Sequence, residues 1–401
     1  MAMAGWTPRR WRRRRADNAD RHGDRLSCGS AGAAAALPLR IFRRRAFAGQ
    51  TAAANLADLA AVRLRQTVLR DVATVDTATR LFGTDLALPL ILGPVGLAGM
   101  AARRGEVQAA RAAAGAGIPF TLSATSICPL DEVGQAAPCW FQLYMVRDRD
   151  FAVEMLARAA AQGCGALVLT VDLPVTGIRW RDRRSGLADP GLAGRLRRLA
   201  QALGRPRWLA DVGLAGRPHA LGNIATMLGP AAGMAECIAW TAANMDAGIT
   251  WRDVEWVRAR WDGPLIVKGI MEAGDAQAAR SAGADGIVVS NHGGRQLDGV
   301  GSTARALPRI ADALGGGLPL FVDGGVRNGV DLFRMLALGA DAVLVGRPWL
   351  YALAAAGEAG VARMIGMMAE ELRVVMALGG VTGVGQIGRH LIDGWRHAPP
   401  G

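Results

Sequence analysis

From Leu86 onward, short apolar runs alternate with alanine-rich stretches of helical periodicity, and Gly or Pro residues mark the joints between them. The apolar runs have the length of buried strands. There are eight of them: Leu88–Gly93, Ile118–Ser123, Trp140–Tyr144, Ala166–Asp172, Pro264–Gly269, Gly286–Asn291, Leu318–Gly324 and Ala342–Gly346. Strands that read as nearly continuous apolar runs are typical of a parallel sheet covered on both faces. Eight of them alternating with helices predict an α/β fold in the form of one closed (β/α)8 TIM barrel.

One interval in this pattern is too long for a single helix and its joints. It follows the fourth run and contains an insertion at about residues 183–250, which is rich in Arg, Trp, Gly and Pro. Segments inserted after a barrel strand lie on the face that carries the active site, so the insertion is predicted to form a lid or a surface patch. Its mixture of arginine, leucine and tryptophan is also typical of a membrane interface, and a solvated excursion is the alternative.

The formal net charge of +13 is concentrated at the N-terminus. Residues 1–50 contain twelve arginines but only three aspartates, so the rest of the chain is weakly basic. The predicted organisation is a basic arm at residues 1–50, disordered or degenerate, followed by a barrel domain at residues 51–395. A weakly basic barrel gives no reason to expect a nucleic-acid partner. The arm is a mobile tail, a lipid or nucleic-acid contact, or a misassigned start.

The five cysteines lack the CxxC and Cys/His spacings of structural metal sites, and several lie among apolar residues. Such cysteines are typical of reduced thiols in a protein core. We therefore predict a reducing, cytoplasmic compartment and no bound metal. No apolar run reaches the length expected of a membrane span.

The sixth run ends in polar residues and glycines, in the sequence GIVVSNHGGRQLD from Gly286 to Asp298. An imidazole takes up a proton near neutral pH, so His292 is a candidate general base. The guanidinium of Arg295 can bind a carboxylate through two hydrogen bonds, and the glycines between the two let a ligand approach the backbone. A polar turn with both side chains solvated is the alternative, which only the other strand ends can decide.

Barrel enzymes carry their functional residues at the C-terminal ends of the strands. The other predicted strand ends offer, in chain order, Pro94, Val95 and Gly96; Ser123; Gln142 and Tyr144; Thr170 and Asp172; Lys268; Ser290; Asp323, Gly324, Gly325 and Arg327; and Gly346 and Arg347. Glycines after the last two strands expose backbone N–H groups beside a helix N-terminus, and two arginines add positive charge. This pattern predicts a site for the phosphate group of a cofactor or substrate.

Lys268 is the only lysine in the chain. Its ammonium group could stabilise negative charge on a reduced cofactor, or its amine could form a Schiff base with a carbonyl substrate. A lysine paired with a barrel carboxylate is the structural alternative, and it is compatible with both functions. Asp172 could orient the imidazole of His292, provided that the barrel places the fourth and sixth strands near one another.

The motifs at these strand ends follow one another in a characteristic order. They are LPLILGPVGLAGM, FQLYMVRDRD, LTVDLPVTGIRWRD, LIVKGI, VSNHGGRQLDG, VDGGVRNGVD and LVGRPWLYALAAAGEAGV. From Asn55 to Leu391 the chain closely resembles the FMN-dependent 2-hydroxy acid dehydrogenases and oxidases, which include glycolate oxidase, lactate dehydrogenase and mandelate dehydrogenase. The resemblance implies a barrel that binds FMN and oxidises an (S)-2-hydroxy acid to the 2-oxo acid.

The resemblance also implies a role for each strand end. The flavin of FMN would lie beside Pro94, Val95, Gly96, Ser123, Gln142, Thr170, Lys268 and Ser290. Asp323 would hold the ribityl chain, and the phosphate would bind Gly324, Gly325, Arg327, Gly346 and Arg347. The substrate carboxylate would bind Arg179, Arg295 and Tyr144. His292 would act as the base with Asp172 behind it, and Tyr144 and Lys268 complete the catalytic set.

The chain departs from the family pattern at several positions. Val95 and Trp180 replace a usual threonine and a usual acidic residue. Before Asn55, the family has a tyrosine-containing helix and a Gly-Ala-Glu-Asp turn, whereas this chain has RIFRRRAFAGQT without a tyrosine. Loss of that tyrosine would remove one substrate hydrogen bond and impair activity, unless the start of the sequence is damaged.

The resemblance leaves the electron acceptor open among quinone, another carrier and O2. Oxidases in the family often carry alanine at the position of Gly96 or Gly294, so glycine at both favours a dehydrogenase. Family members are commonly homotetramers, and the insertion corresponds to the region by which some attach peripherally to a membrane, here the inner face of the cell membrane. The residues alone also allow another phosphate-binding barrel enzyme, an isomerase or aldolase, or an impaired barrel whose basic arm binds nucleic acid or lipid.

Overall fold

The computed structural model describes residues 45–178, 191, 196, 203–229 and 231–393. Eight parallel strands form its centre, which confirms the predicted TIM barrel. The barrel strands are β4 (Leu90–Leu92), β5 (Thr121–Ser123), β6 (Trp140–Tyr144), β7 (Leu167–Thr170), β8 (Leu265–Ile270), β9 (Gly286–Val289), β10 (Leu320–Val322) and β11 (Ala342–Val345). Each overlaps one of the eight apolar runs, because residues buried on both faces of a strand leave no polar alternation.

The strands are hydrogen-bonded in the order β4-β11-β10-β9-β8-β7-β6-β5. Among the described residues, β4 and β5 share one β-bridge, between Leu92 and Phe120. The N–H of Leu92 also donates to the carbonyl oxygen of Pro119 at 2.9 Å. The barrel is therefore closed, although its last seam has one bridge where the other seams have two to four paired positions.

Helices surround the barrel and connect successive strands. They are α1 (Gln50–Ala61), α2 (Gly105–Gly115), α3 (Leu130–Ala136), α4 (Arg149–Ala161), α5 (Gly222–Leu228), α6 (Met234–Asn244), α7 (Trp251–Arg258), α8 (Ala273–Ser281), α9 (Thr303–Leu314), α10 (Gly329–Ala337) and α11 (Arg347–Gly379). Local sequence determines several starts, since Asp148 accepts the N–H of Phe151 before α4 and Asn328 accepts that of Asp331 before α10.

Apolar side chains fill the barrel and close its N-terminal end. Phe82 lies between two short antiparallel strands, β2 (Thr79–Leu81) and β3 (Thr84–Leu86). Its ring packs against those of Trp140 and Phe321, with centroids 6.3 and 6.0 Å apart. A second antiparallel pair, β1 (Arg63–Leu64) and β12 (Ile392–Asp393), joins the segment after α1 to the end of the described chain. Among the described residues, the Phe82 cluster fills the N-terminal end of the barrel, which leaves the C-terminal ends of the strands for a ligand.

Within the described ranges, α11 is the one helix long and apolar enough to span a membrane, in contrast to the sequence-based expectation of no such segment. Its backbone leaves helical values at Ala356 and Gly357. Trp349, Met368 and Leu372 are buried in the core, and the helix packs against α2 and α10. These contacts are those of a broken core helix.

The described part of the insertion lies across the C-terminal ends of the strands. Asn223, in α5, is fully buried, and its Oδ1 accepts the N–H of Leu130 at 2.7 Å. Met245, at the end of α6, forms a β-bridge with Val146 just after β6. The insertion is thus fastened to the loops after β5 and β6. The predicted basic arm lies outside the described residues as far as residue 44.

Candidate active site

The C-terminal ends of the barrel strands surround a cavity of about 400 Å³. Most residues predicted for the site line it: Pro94, Val95, Gly96, Tyr144, Thr170, Lys268, His292, Arg295, Asp323, Gly324, Gly325, Arg327, Gly346 and Arg347. Behind these, Ser123, Asp172 and Ser290 are hydrogen-bonded to lining residues, and Gln142 is hydrogen-bonded to Ser123. Arg179 and Trp180 lie outside the described residues.

Lys268 brings a fixed positive charge to the cavity. It lies on β8 with 4% of its surface exposed. Its Nζ is 3.1 Å from Asp323 Oδ2 and donates to Ser290 Oγ at 2.9 Å, while Ser290 Oγ donates to Asp323 Oδ1 at 2.8 Å. Burial alone would lower the pKa of Lys268, but Asp323 and Asp172 raise it above its ordinary value. The amine is therefore protonated at neutral pH.

His292 and Asp172 form a close pair on neighbouring loops. The backbone of His292 has a φ of 57°, which few residues other than glycine adopt, and its Nδ1 is 2.8 Å from Asp172 Oδ1. Burial opposes ionisation of Asp172, but His292 and Lys268 hold the pKa of its carboxyl below the usual value. With Nδ1–H donated to an ionised carboxylate, Nε2 is the nitrogen that remains to accept a proton.

Gln142 Nε2 on β6 and Thr170 Oγ1 on β7 are two of the five buried side-chain polar atoms that have no hydrogen-bond partner within the described part of the chain. Ser123 Oγ donates to Gln142 Oε1 at 3.1 Å, which leaves the Nε2 group as a free donor. Buried polar groups in native proteins are nearly always satisfied. Thr170 lines the cavity, so its unpartnered hydroxyl suits a polar ligand there, and Gln142 lies behind it next to Ser123.

The far end of the cavity suits an anion. A Cβ on Gly325 would lie 2.4 Å from the carbonyl oxygen of Asn55, so only glycine fits there. Gly346 is the N-cap of α11, and the N-terminus of a helix favours a bound anion. Burial lowers the pKa of Arg327 to about 10, and the nearby Arg347 acts in the same direction. A bound phosphate would neutralise these two desolvated guanidiniums.

Residues 46–55 pack against the loops that carry the site, in the region where the resembled family carries its tyrosine. The N–H of Ala46 donates to the carbonyl oxygen of Gly294 at 3.0 Å, and that of Phe47 to Ile178 at 2.9 Å. The segment therefore binds both the loop that follows β7 and the loop that follows β9. It does so through its backbone, and the absence of a tyrosine leaves this docking intact.

Asp298, which the sequence groups with the polar residues after β9, points away from the cavity. Its carboxylate accepts the N–H groups of Gly49 at 2.8 Å and Thr51 at 2.9 Å, at the start of α1. Slight burial opposes its ionisation, but these backbone N–H groups, led by that of Thr51, lower the pKa of Asp298. Asn55 and Asn291 also exchange two side-chain hydrogen bonds of 2.8 Å each. The loop after β9 thus rests on α1.

Several residues that line the cavity were not predicted from the sequence. Thr125 follows β5, Leu173 and Thr176 follow β7, and Ile238, Thr241, Ala242 and Met245 belong to α6 or its end. The α6 residues recur at helical spacing, which is a signal of an amphipathic helix. The sequence alone does not show that this face meets the cavity, because α6 belongs to the insertion.

Glycine at positions 96 and 294 has a packing cause in this structure. A Cβ at Gly96 would lie 2.4 Å from Thr125 Oγ1, and one at Gly294 would lie 2.5 Å from the backbone nitrogen of Ala52. Gly294 also has a φ of 70°. Both glycines are therefore favoured by their neighbours whatever the electron acceptor is, which weakens them as indicators of a dehydrogenase.

Comparison with known proteins places this site in context. A model of the family described as FMN-dependent dehydrogenase matches residues 37–394. An L-lactate dehydrogenase from Caulobacter sp. (strain K31) is 56% identical over 349 residues, which cover 86% of this chain and 91% of that protein. The monotopic membrane protein (S)-mandelate dehydrogenase superposes with a TM-score of 0.86 at 31% identity, over 92% of this chain and 98% of that one. A mandelate oxidase variant with (S)-mandelic acid superposes with a TM-score of 0.76 at 36% identity, over 91% and 95%.

Proposed function

The chain belongs to the FMN-dependent dehydrogenase family, and from this premise we propose that it oxidises an (S)-2-hydroxy acid to the 2-oxo acid. One observation carries the proposal: the His292–Asp172 pair faces the same cavity as the ammonium of Lys268 and the guanidinium of Arg295. The reaction needs a base, a cation for the substrate carboxylate and a charge that favours the reduced cofactor. The His292–Asp172 pair offers the base, Arg295 offers the cation for the carboxylate, and Lys268 offers the charge that favours the reduced cofactor.

The cavity residues fit FMN. The unpartnered Gln142 Nε2 and Thr170 Oγ1 suit the polar edge of a flavin, and Arg327 and Arg347 suit its phosphate. When bound, FMN accepts the two electrons that leave the substrate. Further contacts are assigned to Pro94, Val95, Gly96, Ser123, Lys268, Ser290, Asp323, Gly324, Gly325 and Gly346.

The chain's own residues then bind the substrate and move its proton. Arg295 binds the carboxylate, with Tyr144 on the same cavity and Arg179, outside the described residues, as the second cation. His292 Nε2 takes a proton of the CH–OH group. Asp172 stabilises the imidazolium that forms, because its ionised carboxylate lies 2.8 Å from Nδ1.

The protonation of Lys268 argues against a lysine-dependent aldolase. A Schiff base forms from a neutral amine, so aldolase lysines have a depressed pKa. Here burial acts in that direction, but Asp323 and Asp172 outweigh it and raise the pKa of Lys268. The geometry supports an electrostatic role for this ammonium group.

L-lactate is the proposed substrate, by analogy with the 56% identical relative. Anaerobic mixing of the FMN-loaded protein with L-lactate, D-lactate, glycolate and (S)-mandelate, followed by the loss of flavin absorbance, tests it. L-lactate should bleach the flavin and D-lactate should not. If no (S)-acid bleaches the flavin, the proposed function is wrong. If (S)-mandelate alone bleaches it, the proposed function holds and only the assignment of L-lactate as substrate is wrong.

A pair of histidine variants tests the base. His292→Ala should still bind FMN, but its flavin should be reduced about 10²–10⁴-fold more slowly, the usual contribution of a general base. His390→Ala is the matched control, because His390 is exposed and far along the chain from the cavity lining. Equal reduction rates in the two variants would exclude His292 as the base.

The proposed electron acceptor is a quinone or another carrier rather than O2. The support is the description of the 56% identical relative as a dehydrogenase, since the glycines at 96 and 294 have packing causes of their own. Reduced enzyme mixed with a soluble quinone should be reoxidised faster than in air-saturated buffer. Faster reoxidation by O2 would make the protein an oxidase.

A homotetramer is also proposed, and light scattering measures the mass directly.

Peripheral membrane binding through the insertion is the proposed location, at the inner face of the cell membrane. Leu203 and Leu214 are 62% and 59% exposed, and a similar structure is described as a monotopic membrane protein. Exposed leucines beside arginines suit a bilayer interface. Anionic vesicles should sediment the wild-type protein but much less of a Leu203→Glu, Leu214→Glu variant. A wild-type protein that stays in the supernatant would exclude the proposal.

A further inference from the structure

We infer that Gln296 is a positioning residue that holds the His292–Asp172 pair in register, an inference that rests on the proposed function. Gln296 follows the candidate base by four residues and is 8% exposed. Its side chain does not line the cavity. It lies instead between the loop after β9 and the segment 172–177 that follows β7.

The amide of Gln296 uses all of its hydrogen-bonding groups on this segment. Its Nε2 donates to the carbonyl oxygen of Asp172 at 3.1 Å and to that of Val175 at 3.0 Å, and its Oε1 accepts the N–H of Gly177 at 3.3 Å. The turn offers two carbonyl oxygens and one N–H group, and the amide of Gln296 supplies the two donors and one acceptor that match them. Glutamate lacks the donors, and asparagine is one methylene shorter.

The two loops also touch directly. A Cβ on Gly177 would lie 2.9 Å from the carbonyl oxygens of both Arg295 and Gln296, so the backbones are in contact there. The fastened segment contains Asp172 at one end and the cavity-lining Thr176 near the other. Gln296 therefore links the backbone of Asp172, whose carboxylate orients the base, to the loop that carries the base.

This link has a kinetic consequence. Without it, the 2.8 Å hydrogen bond between Asp172 and His292 would lose the amide that anchors the backbone of Asp172. Small displacements of reacting groups cost up to about 10²-fold in rate, and loss of a residue that orients an active-site ligand typically costs about 10–100-fold. We expect a loss of this size in the rate of flavin reduction at saturating substrate, with little change in the affinity for FMN.

Gln296→Met tests the inference because it keeps the length of the side chain and removes the amide. The control is Gln386→Met, which removes an amide that accepts the N–H of Thr382 in an exposed turn. Gln296→Met should lower the reduction rate about 10–100-fold and speed hydrogen exchange in the peptide of residues 172–178, while the control changes neither. A rate within twofold of wild type, or unchanged exchange, would overturn the inference.

A double-mutant cycle separates positioning from general stability. If Gln296 acts through Asp172, then Gln296→Met should cost less than about threefold in an Asp172→Asn background. Full additivity would show that Gln296 acts elsewhere. Should Gln296→Met fail to load FMN, Gln296→Glu replaces it in every measurement, since it keeps the acceptor for Gly177 and loses both donors. A wild-type protein that no 2-hydroxy acid reduces would refute the proposed function before any variant is made.

Discussion

Replacing Lys268 by methionine removes the ammonium group and keeps most of the buried hydrocarbon stem. In the wild-type protein this group is 3.1 Å from Asp323 Oδ2, so the variant leaves that carboxylate without its cation. Removing one partner of a buried ion pair costs about 3–5 kcal/mol of unfolding free energy. The Asp323 side chain is 18% exposed, which favours the lower end of that range. At roughly 2 °C per kcal/mol for a large domain, the unfolding midpoint should fall by roughly 6 °C.

The same charge should affect flavin reduction. The ammonium of Lys268 would stabilise the negative charge of a reduced flavin. Two unit charges about 4 Å apart interact by about 4 kcal/mol at an effective dielectric constant near 20. The opposite charge of Asp323 cancels part of this, so we expect a loss of about 2–3 kcal/mol in the transition state. That loss corresponds to a reduction rate about 30–150-fold lower, which anaerobic stopped-flow absorbance would measure at saturating substrate.

A second variant separates the two effects. Lys268→Met combined with Asp323→Asn leaves neither an ammonium nor a lone carboxylate, so most of the thermal stability should return. The reduction rate should stay low, because the cation is still missing. If the double variant regains the rate, or if the single variant loses neither stability nor rate, the electrostatic reasoning about Lys268 is wrong.

Three further outcomes follow from the geometry. Asp172→Asn should keep FMN bound but lower the reduction rate by roughly 10²–10⁴-fold, measured by stopped flow, because His292 loses the charge that stabilises its imidazolium. Arg347→Met should weaken FMN binding about 10–100-fold in a fluorescence titration and leave riboflavin binding unchanged, since riboflavin has no phosphate. Asp298→Ala should lower the free energy of unfolding by about 1–2 kcal/mol at pH 7 through loss of the bonds to α1. Because folding lowers the pKa of Asp298, its contribution is present above the unfolded value of about 4 and is lost as the pH falls further, so the wild-type and variant midpoints should converge in acid.

The fold was predictable because each barrel strand is buried on both faces and reads as an apolar run. The run Leu318–Gly324 contains β10 at Leu320–Val322, and the difference consists of end residues that turn into loops. The strand ends were predictable for the same reason, since a parallel barrel brings them all to one rim.

Long-range side-chain contacts were not predictable in this way. Asp298 belongs to the same polar cluster as His292, yet it binds the start of α1, which lies 247 to 249 residues earlier in the chain. In the sequence, Gln296 is a polar loop residue like its neighbours. Only the fold shows that the turn at Gly177 packs against it. The face of α6 that meets the cavity depends on how the insertion folds back, and no local pattern encodes that.

The short seam between β4 and β5 makes bound cofactor part of the architecture. Pro94 to Gly96 follow β4, and Ser123 ends β5. A flavin that contacts both segments would bridge the seam with the fewest paired residues in the barrel. Emptying the site should loosen this edge before any other. In the cofactor-free protein, the edge between β4 and β5 should therefore be the least stable part of the barrel, and binding of FMN should stabilise it.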